Sequence, residues 1–339
     1  MKNSSEVLRK LPSSMDILFD EVPSLDLADF TSGNPDKKNA FVKKLGEAYQ
    51  NIGFVAIKNH GLSQELQDRL YASITSFFSL PDEVKGKYEK PEIGYQRGYT
   101  GKGKEHAKGR NTGDLKEFYH VGQEVSLIPD ADPVKSEYPE NLWPEEIPNF
   151  KQDAVEAYQT LEYAGRQMLK AIALHLGLEE SYFEDKVIRG NSILRQIHYF
   201  PIDNPDAVPA DAVRAAEHGD INLITLLMGA SADGLQVLRK DGKWIPITAL
   251  PDQLVVNVGD MLERLTNKKL KSTIHRVVNP PREKMHTSRY SIPFFMHPRS
   301  EMDLSCLDSC ISGAHPKQFP DITAGEFLEE RLRELGLRK

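Results

Sequence analysis

The chain has few cysteines and no long apolar segment. Only Cys306 and Cys310 occur among its 339 residues. So few cysteines argue against a disulfide framework or a cysteine-rich zinc site and are typical of a reducing compartment. No segment reaches the length of a membrane span, and the polar N-terminus lacks the apolar stretch of a secretory leader. We therefore expect a cytoplasmic protein that does not bind membranes.

Positive charge is also not in excess. The 43 Lys and Arg residues against 50 Asp and Glu give a net charge of −7, and no basic stripe stands out. Nucleic acid is therefore not an expected partner. One short basic run, residues 102–110, is predicted to form a solvated loop. With 39% hydrophobic and 27% charged residues, the composition is typical of a globular protein with one large domain or two modest ones.

The first half of the chain carries mainly helical periodicity. Ser63 is placed to cap a helix that must end by Pro81, and Gly177 stands where a longer helix would need its C-terminal cap. Residues 88–148 are rich in Gly, Pro and charge and are predicted to form a long loop. Further helices are predicted over residues 39–52, 153–176 and 323–335, and a short strand over residues 53–57.

From about residue 192 the pattern changes to short β-branched runs separated by turn residues. Many short strands at this spacing are typical of a sandwich or barrel, and a jelly roll suits them. The predicted fold class is α+β, with a double-stranded β-helix (jelly-roll) core flanked by N-terminal helices and a C-terminal helix. The strands are predicted over residues 192–200, 221–228, 234–238, 243–248, 254–258, 272–278 and 289–295.

Four regions are predicted from these patterns. Residues 1–125 form a mostly helical N-terminal region, and residues 126–190 form a linker and a long helix that packs on the core. Residues 191–300 form the jelly-roll catalytic core. Residues 301–339 form a C-terminal helical tail.

Two histidines and an aspartate suggest a metal site. His218 and Asp220 are two positions apart beside a predicted strand, where such residues face the same side. His275 lies in another predicted strand, so sheet packing can bring it alongside. Two imidazoles and one carboxylate make the facial triad that holds non-haem Fe(II) and leaves coordination positions open. A structural zinc site, in contrast, is usually closed by four protein ligands.

Arg289 and Ser291 are likewise two positions apart on a predicted strand. The planar fork of an arginine matches a carboxylate, and a hydroxyl can add a hydrogen bond. An arginine that points into a β-core is unfavourable unless it meets an anion. This pair therefore indicates an anionic co-substrate close to the metal.

Together, His218-Gly219-Asp220, His275 and Arg289-Tyr290-Ser291 resemble the HxD…H…RxS pattern of the 2-oxoglutarate- and Fe(II)-dependent dioxygenases. The surroundings are most similar to the isopenicillin N synthase-like branch, and the resemblance spans nearly the whole chain. The other similar segments are residues 22–27, 51–54, 59–61, 234–237, 257–260, 265–267 and 271–278.

The resemblance implies a role for six residues: an Fe(II) site made by His218, Asp220 and His275, and a site for the distal carboxylate of 2-oxoglutarate made by Arg289, Ser291 and Tyr199. Where the family often has Asn two residues before this tyrosine, this chain has Ile197, which removes one polar contact. The implied reaction uses O2, converts 2-oxoglutarate to succinate and CO2, and oxidises a C–H bond of a small molecule. Hydroxylation is its commonest outcome, and desaturation or ring closure are variants.

Two residues are candidates for substrate binding. Arg97, in Arg97-Gly98-Tyr99, resembles a segment with which isopenicillin N synthase binds a substrate carboxylate, and it would favour an amino acid or peptide. Because it lies in a predicted loop, a surface arginine is the other interpretation. One of Phe294 and Phe295 should face the pocket and the other the core, and Phe295 is the candidate. His120 could border the site.

Alternative functions remain open. One is an isopenicillin N synthase-like oxidase or cyclase that acts without 2-oxoglutarate. Another is a non-catalytic ligand-binding protein on the same scaffold, because fold alone does not establish function. A jelly-roll isomerase with another metal is disfavoured by Arg289 and Ser291, since an isomerase needs no clamp for a 2-oxo acid. Two further histidines are assigned no chemistry: His60 is expected to be structural, and His198 to be outward or packed.

Overall fold

The computed structural model describes residues 19–104, 116–202, 204, 213–229, 234–247, 250 and 252–334. Most of the predicted basic loop, residues 105–110, lies outside this range. Of the helices in the described residues, none is both long and apolar enough to cross a membrane.

Within the described residues, the strands form a large and a small sheet that face each other. The large sheet has the order β1-β2-β10-β7-β13-β5-β4-β3, with β12 also paired to β5, and the small sheet has the order β6-β11-β8-β9. Apart from the parallel pair β1–β2, these strands pair antiparallel. The strands are β1 Ser24–Asp26, β2 Phe54–Lys58, β3 Gly98–Thr100, β4 Lys116–Val121, β5 Ile193–Tyr199, β6 Ala215–His218, β7 Ile224–Met228, β8 Leu235–Leu238, β9 Trp244–Pro246, β10 Leu254–Val258, β11 His275–Val277, β12 Arg289–Ser291 and β13 Pro293–Met296.

Helices cover the outer face of the large sheet. Ser63 accepts a hydrogen bond from the Leu66 amide at 3.2 Å, which confirms the predicted cap of α3. Gly177 has a φ of +74° just after α5, as the predicted C-terminal cap requires. The helices are α1 Leu27–Thr31, α2 Pro35–Asn51, α3 Gln64–Phe78, α4 Asp82–Gly86, α5 Phe150–His175, α6 Glu184–Val187, α7 Asp260–Leu265 and α8 Ala324–Glu334.

The main apolar core lies between these helices and the large sheet. Leu45 of α2, Leu70 of α3 and Leu161 of α5 are fully buried against Leu226 and Phe294 of the sheet. Each fully buried side chain of this kind contributes roughly 1.5–3 kcal/mol relative to an exposed one. This layer therefore supports the large sheet from its outer side.

A second, smaller apolar cluster lies between the two sheets, where Ile197 and Phe118 meet Val237 of β8. Strand β5 shows that this space is open at one end. Its outward residue Leu194 is buried, whereas its inward residues Ile193 and Arg195 keep partial exposure. The inner face of the jelly roll is therefore open to solvent at this end, and we call this space between the sheets the cavity.

The predicted loop at residues 88–148 is wrong in part, because it contains β3 and β4 at the edge of the large sheet. The polar composition of β4 hides it from a hydrophobicity pattern, since buried Glu117 is paired rather than solvated. Two predicted strands are also shorter than expected: residues 221–228 give Ile224–Met228, and residues 272–278 give His275–Val277. The four-region division stays a prediction, although strands from residues 1–125 pair with β5 and β10 of the core.

Candidate functional site

The three predicted metal ligands converge at the junction of the two sheets. His218 ends β6 and stands opposite His275, the first residue of β11. Asp220 follows in the loop that leads to β7. Its Oδ1 lies 4.0 Å from Nε2 of His218 and 3.7 Å from Nε2 of His275. The ligand atoms all lie within 4.8 Å of one another, which is close enough for one ion to be bound by the three.

Backbone carbonyls orient both imidazoles. Nδ1 of His218 lies 2.7 Å from the Ala216 oxygen, and Nδ1 of His275 lies 3.2 Å from the Thr273 oxygen. A carbonyl only accepts, so each Nδ1 carries the proton and each Nε2 keeps a lone pair for a metal. The edge of the Phe54 ring also packs on His275, at 5.6 Å between centroids.

Two strands of the large sheet hold the Asp220 carboxylate. Its Oδ2 accepts from the Thr225 hydroxyl at 2.6 Å and from the Asn257 amide at 2.8 Å, so Oδ1 is left to face the histidines. Burial raises the pKa of Asp220, but the two imidazoles and these hydrogen bonds outweigh it, and the net pKa is lowered. The carboxylate is therefore ionised at neutral pH and ready to bind a cation.

His218 is the ligand nearest the cavity mouth, and 47% of its side chain is exposed. The walls of the cavity still desolvate the ring, and desolvation followed by the neighbouring His275 lowers the pKa of His218 to about 4. The ring is neutral at pH 7, which is the form that binds a metal.

The predicted carboxylate site lies on the neighbouring strands of the inner face. Arg289 and Ser291 of β12 pair with Tyr199 and Ile197 of β5. The Arg289 side chain is 1% exposed, and its Cζ lies 5.0 Å from the centre of the Tyr199 ring. Ile197 stands beside Ser291, so the place where an asparagine was expected is apolar.

Arg97 is not the surface residue that one interpretation expected. It is fully buried, and its Nη1 donates to the Gln96 oxygen at 2.8 Å. Its guanidinium packs on the backbone of Gly122, where an added Cβ would lie 2.0 Å from Cζ. Burial lowers the pKa of Arg97 to about 10, and the tyrosines at 138 and 158 oppose this. These contacts do not bring Arg97 to the three metal ligands.

The two consecutive phenylalanines face opposite sides of β13. Phe294 is fully buried in the outer core, with its ring 5.0 Å from that of Tyr158. Phe295 is half-buried and stands opposite Thr225, the residue that holds Asp220. Its ring lies 5.3 Å from Cζ of Arg195. Phe295 is therefore the one of the two that faces the cavity.

Several basic and aromatic residues line the same cavity. Arg195 donates through Nε to Nε2 of His120 at 2.6 Å, and His120 donates through Nδ1 to the Tyr95 oxygen at 2.9 Å. The Arg195 guanidinium also lies 4.3 Å from the Phe118 ring centre. His297 is buried nearby, and its Nδ1 has no hydrogen-bond partner within the described residues. Burial first, and then Arg195, lower the pKa of His297 to about 4, against the opposing charge of Asp220.

His60 and His198 make contacts within the fold and not with the three metal ligands. His60 accepts from the Leu62 amide through Nδ1 and reaches the Asp252 oxygen through Nε2. His198 lies on the outer face of β5, where it contacts Glu117 at 2.7 Å and stacks on Tyr290. The sequence alone assigned no role to Thr225, Arg195 or His297, because only the pairing of distant strands brings them to the site.

Comparisons with known proteins agree with this geometry. Residues 22–146 match the family model for the non-haem dioxygenase in morphine synthesis N-terminal domain, and residues 190–298 match the model for the 2OG-Fe(II) oxygenase superfamily. A 2-oxoglutarate-Fe(II) type oxidoreductase from Metarhizium rileyi is 32% identical over 92% of this chain and 90% of its own. A proline hydroxylase from Petromyces alliaceus is 32% identical over 92% of this chain and 98% of its own.

Solved structures give the same result. A 2OG-Fe(II) oxygenase family protein from Caulobacter crescentus superposes with a TM-score of 0.82 at 42% identity and covers 92% of this chain and 98% of its own. A full-length Neurospora crassa protein, solved in complex with alpha-KG, superposes with a TM-score of 0.81 at 29% identity and covers 92% of this chain and 95% of its own.

The chain belongs to the 2OG-Fe(II) oxygenase superfamily. It is an oxidoreductase that uses Fe(II), 2-oxoglutarate and O2 to oxidise a small molecule, and hydroxylation is the reaction that its relatives support. The predicted jelly-roll fold is confirmed.

Proposed function

We propose that His218, Asp220 and His275 hold the Fe(II). The observation that carries this assignment is the orientation of the donors: both Nε2 atoms and Oδ1 of Asp220 face one point, while every other donor atom of the three side chains is hydrogen-bonded to the protein. Two nitrogens and one carboxylate suit Fe(II) and leave other coordination positions open. When bound, the iron supplies the redox chemistry by which 2-oxoglutarate and O2 oxidise the substrate.

Arg289, Ser291 and Tyr199 bind the distal carboxylate of 2-oxoglutarate in this proposal. The fork of a buried guanidinium can donate two parallel hydrogen bonds to a carboxylate. The position of these residues on the inner face of the large sheet supports the assignment. The 2-oxoglutarate-independent alternative is less well supported, because the Arg97 guanidinium packs beside Gly122 and donates to the Gln96 oxygen.

The substrate lies in the open part of the cavity, beside Arg195, His120, His297 and Phe295. We propose a compact molecule that carries a carboxylate or carbonyl group, because Arg195 is a fixed cation and Phe295 offers a flat apolar wall. Two relatives support this class: one is a proline hydroxylase, and the other, from Neurospora crassa, was solved with thymine. Proline and thymine are both small rings with acceptor oxygens.

We also propose that the protein acts in the cytoplasm, because its two cysteines are free and free cysteines are typical of a reducing compartment.

Succinate release tests the proposal. Protein reconstituted with Fe(II) should convert 2-oxoglutarate to succinate slowly when no substrate is added. The rate should rise when a compact carboxylate or cyclic amide is added as substrate. His275→Ala should abolish both rates, and Arg195→Gln should remove the stimulation by substrate while the slow rate stays. Oxygen uptake that needs no 2-oxoglutarate would contradict the proposal, as would turnover that survives the loss of His275.

A further inference from the structure

A third buried guanidinium, that of Arg214, has no role in the site as described so far. It directly precedes β6, and 1% of its surface is exposed. Its Nη2 donates to the Thr287 oxygen at 2.8 Å. Its Nε and Nη1 are also shielded from water, and neither has a hydrogen-bond partner in the part of the chain that the structure describes. Buried donors without acceptors are rare in folded proteins, and a bound ligand is one explanation for them.

The position of Arg214 shows which ligand it suits. Thr287 is two residues before Arg289, so the hydrogen bond from Arg214 places the two arginines close enough for their charges to interact. Desolvation and then the charge of Arg289 lower the pKa of Arg214, while Tyr199 opposes them. An arginine does not lose its proton in a protein. The Arg214 guanidinium therefore keeps its positive charge away from water and near another cation, which is unfavourable unless an anion binds to it.

We infer that Arg214 is a second ligand of the distal carboxylate of 2-oxoglutarate and approaches it from β6 while Arg289 approaches from β12. This inference rests on the proposed function. A carboxylate has about four lone-pair sites, so it can accept from donors on more than one strand at once. Arg214 also adds a donor to a site that has one fewer than expected, because Ile197 replaces an asparagine. In this arrangement, β6 has Arg214 and the distal carboxylate at its start and the metal ligand His218 at its end.

Equilibrium binding tests the inference without turnover. Titration calorimetry would compare two probes on the Mn(II)-loaded protein: 2-oxoglutarate, and 2-oxobutanoate, which keeps the metal-chelating end and lacks the distal carboxylate. Arg214→Gln should weaken 2-oxoglutarate binding by roughly 10- to 100-fold, the effect of losing a charge-assisted hydrogen bond. The same substitution should change the dissociation constant of 2-oxobutanoate by less than about twofold. This probe has no distal carboxylate, so Arg214 does not bind it even in the wild type.

Arg97→Gln is the matched control. Arg97 is equally buried and also has two nitrogens without partners in the described residues, but it packs on Gly122. Its replacement should leave the dissociation constant of 2-oxoglutarate unchanged. Arg214→Lys keeps the charge and loses the fork, so it should lie between the wild type and Arg214→Gln. It also carries the test if Arg214→Gln does not fold.

The outcomes separate this inference from the proposed function. If the wild type fails to bind 2-oxoglutarate, the proposed function is wrong. If the wild type binds it and both Arg214 variants bind it as tightly, only the role of Arg214 is wrong. Equal weakening of both probes would also overturn the inference, because Arg214 would then act by bracing the Thr287 carbonyl and the surrounding fold.

Discussion

At the scale of single residues, the Asp220 carboxylate depends on side chains that touch no metal. Thr225 and Asn257 both donate to its Oδ2, which fixes the direction of Oδ1. Partners of this kind set the orientation and basicity of a metal ligand, and their loss typically lowers metal affinity by about 10- to 100-fold. The metal site is therefore larger than its three ligands.

Thr225→Val should weaken Mn(II) binding by about 10- to 100-fold, because valine keeps the shape of threonine and removes the donor to Asp220. The measurement is a competition titration with a metal-binding dye. Thr266→Val is the matched control, since Thr266 is also buried and its hydroxyl donates to the Leu262 oxygen instead of to a metal ligand. Equal metal affinity in the two variants would show that Thr225 does not support the ligand.

Single residues also show how far the sequence alone could predict the site. The spacing of His218 and Asp220, and of Arg289 and Ser291, gives their shared faces directly, because strand periodicity is local. Arg214 could not be found in this way. Its proposed role depends on the hydrogen bond to the Thr287 oxygen, which joins residues 73 positions apart and forms only in the folded protein.

At the scale of elements, strand β4 is held by a buried charge network on its outer face. The Glu117 carboxylate accepts from Lys85 at 2.8 Å and from Tyr99 at 2.5 Å, and it contacts His198 at 2.7 Å. These contacts join α4, β3, β4 and β5. They also explain why the strand was predicted as a loop. Glu117 interrupts the alternation of apolar and polar residues that predicts a strand, and its charge is neutralised only in the folded protein.

Glu117→Gln should destabilise the protein by about 3 kcal/mol at pH 7, because removing one partner leaves the buried Lys85 without its full counter-charge. Burial raises the pKa of Glu117, but His198, Lys85 and Tyr99 lower it more, so the folded pKa lies below the usual 4.5. The stabilisation is therefore complete above about pH 4.5 and is lost as the pH falls through the lower folded pKa. Urea unfolding at pH 7 and at acidic pH measures both effects.

The control for this prediction is Glu83→Gln, which removes an exposed carboxylate on α4. It should change the free energy of unfolding by less than about 0.5 kcal/mol. Between neutral and acidic pH, the wild type should lose more stability than Glu117→Gln. Parallel pH profiles for these two proteins would show that the network contributes nothing through ionisation.

At the scale of the whole molecule, the metal site connects the two sheets. His218 and His275 belong to the small sheet, whereas the Asp220 carboxylate is held by β7 and β10 of the large sheet. An ion bound by all three joins these sheets directly. Before binding, mainly the apolar cluster around Ile197 and Val237 holds the inner faces together. The jelly roll was predictable from strand spacing, but this coupling was not, because it requires the sheet order.

Metal binding should therefore slow hydrogen exchange in both sheets together. A ligand present at 100 times its dissociation constant stabilises the native state by about 2.7 kcal/mol, which slows exchange through sheet separation by about 100-fold. Adding Mn(II) should protect the amides of β6 and β11 as much as those of β7, as measured by mass spectrometry. In helix α8, amides that exchange by local fraying should exchange at the same rate with and without Mn(II). In the His275→Ala variant, Mn(II) should protect none of these strands. Protection confined to β7 and β10 would mean that the ion does not bridge the sheets.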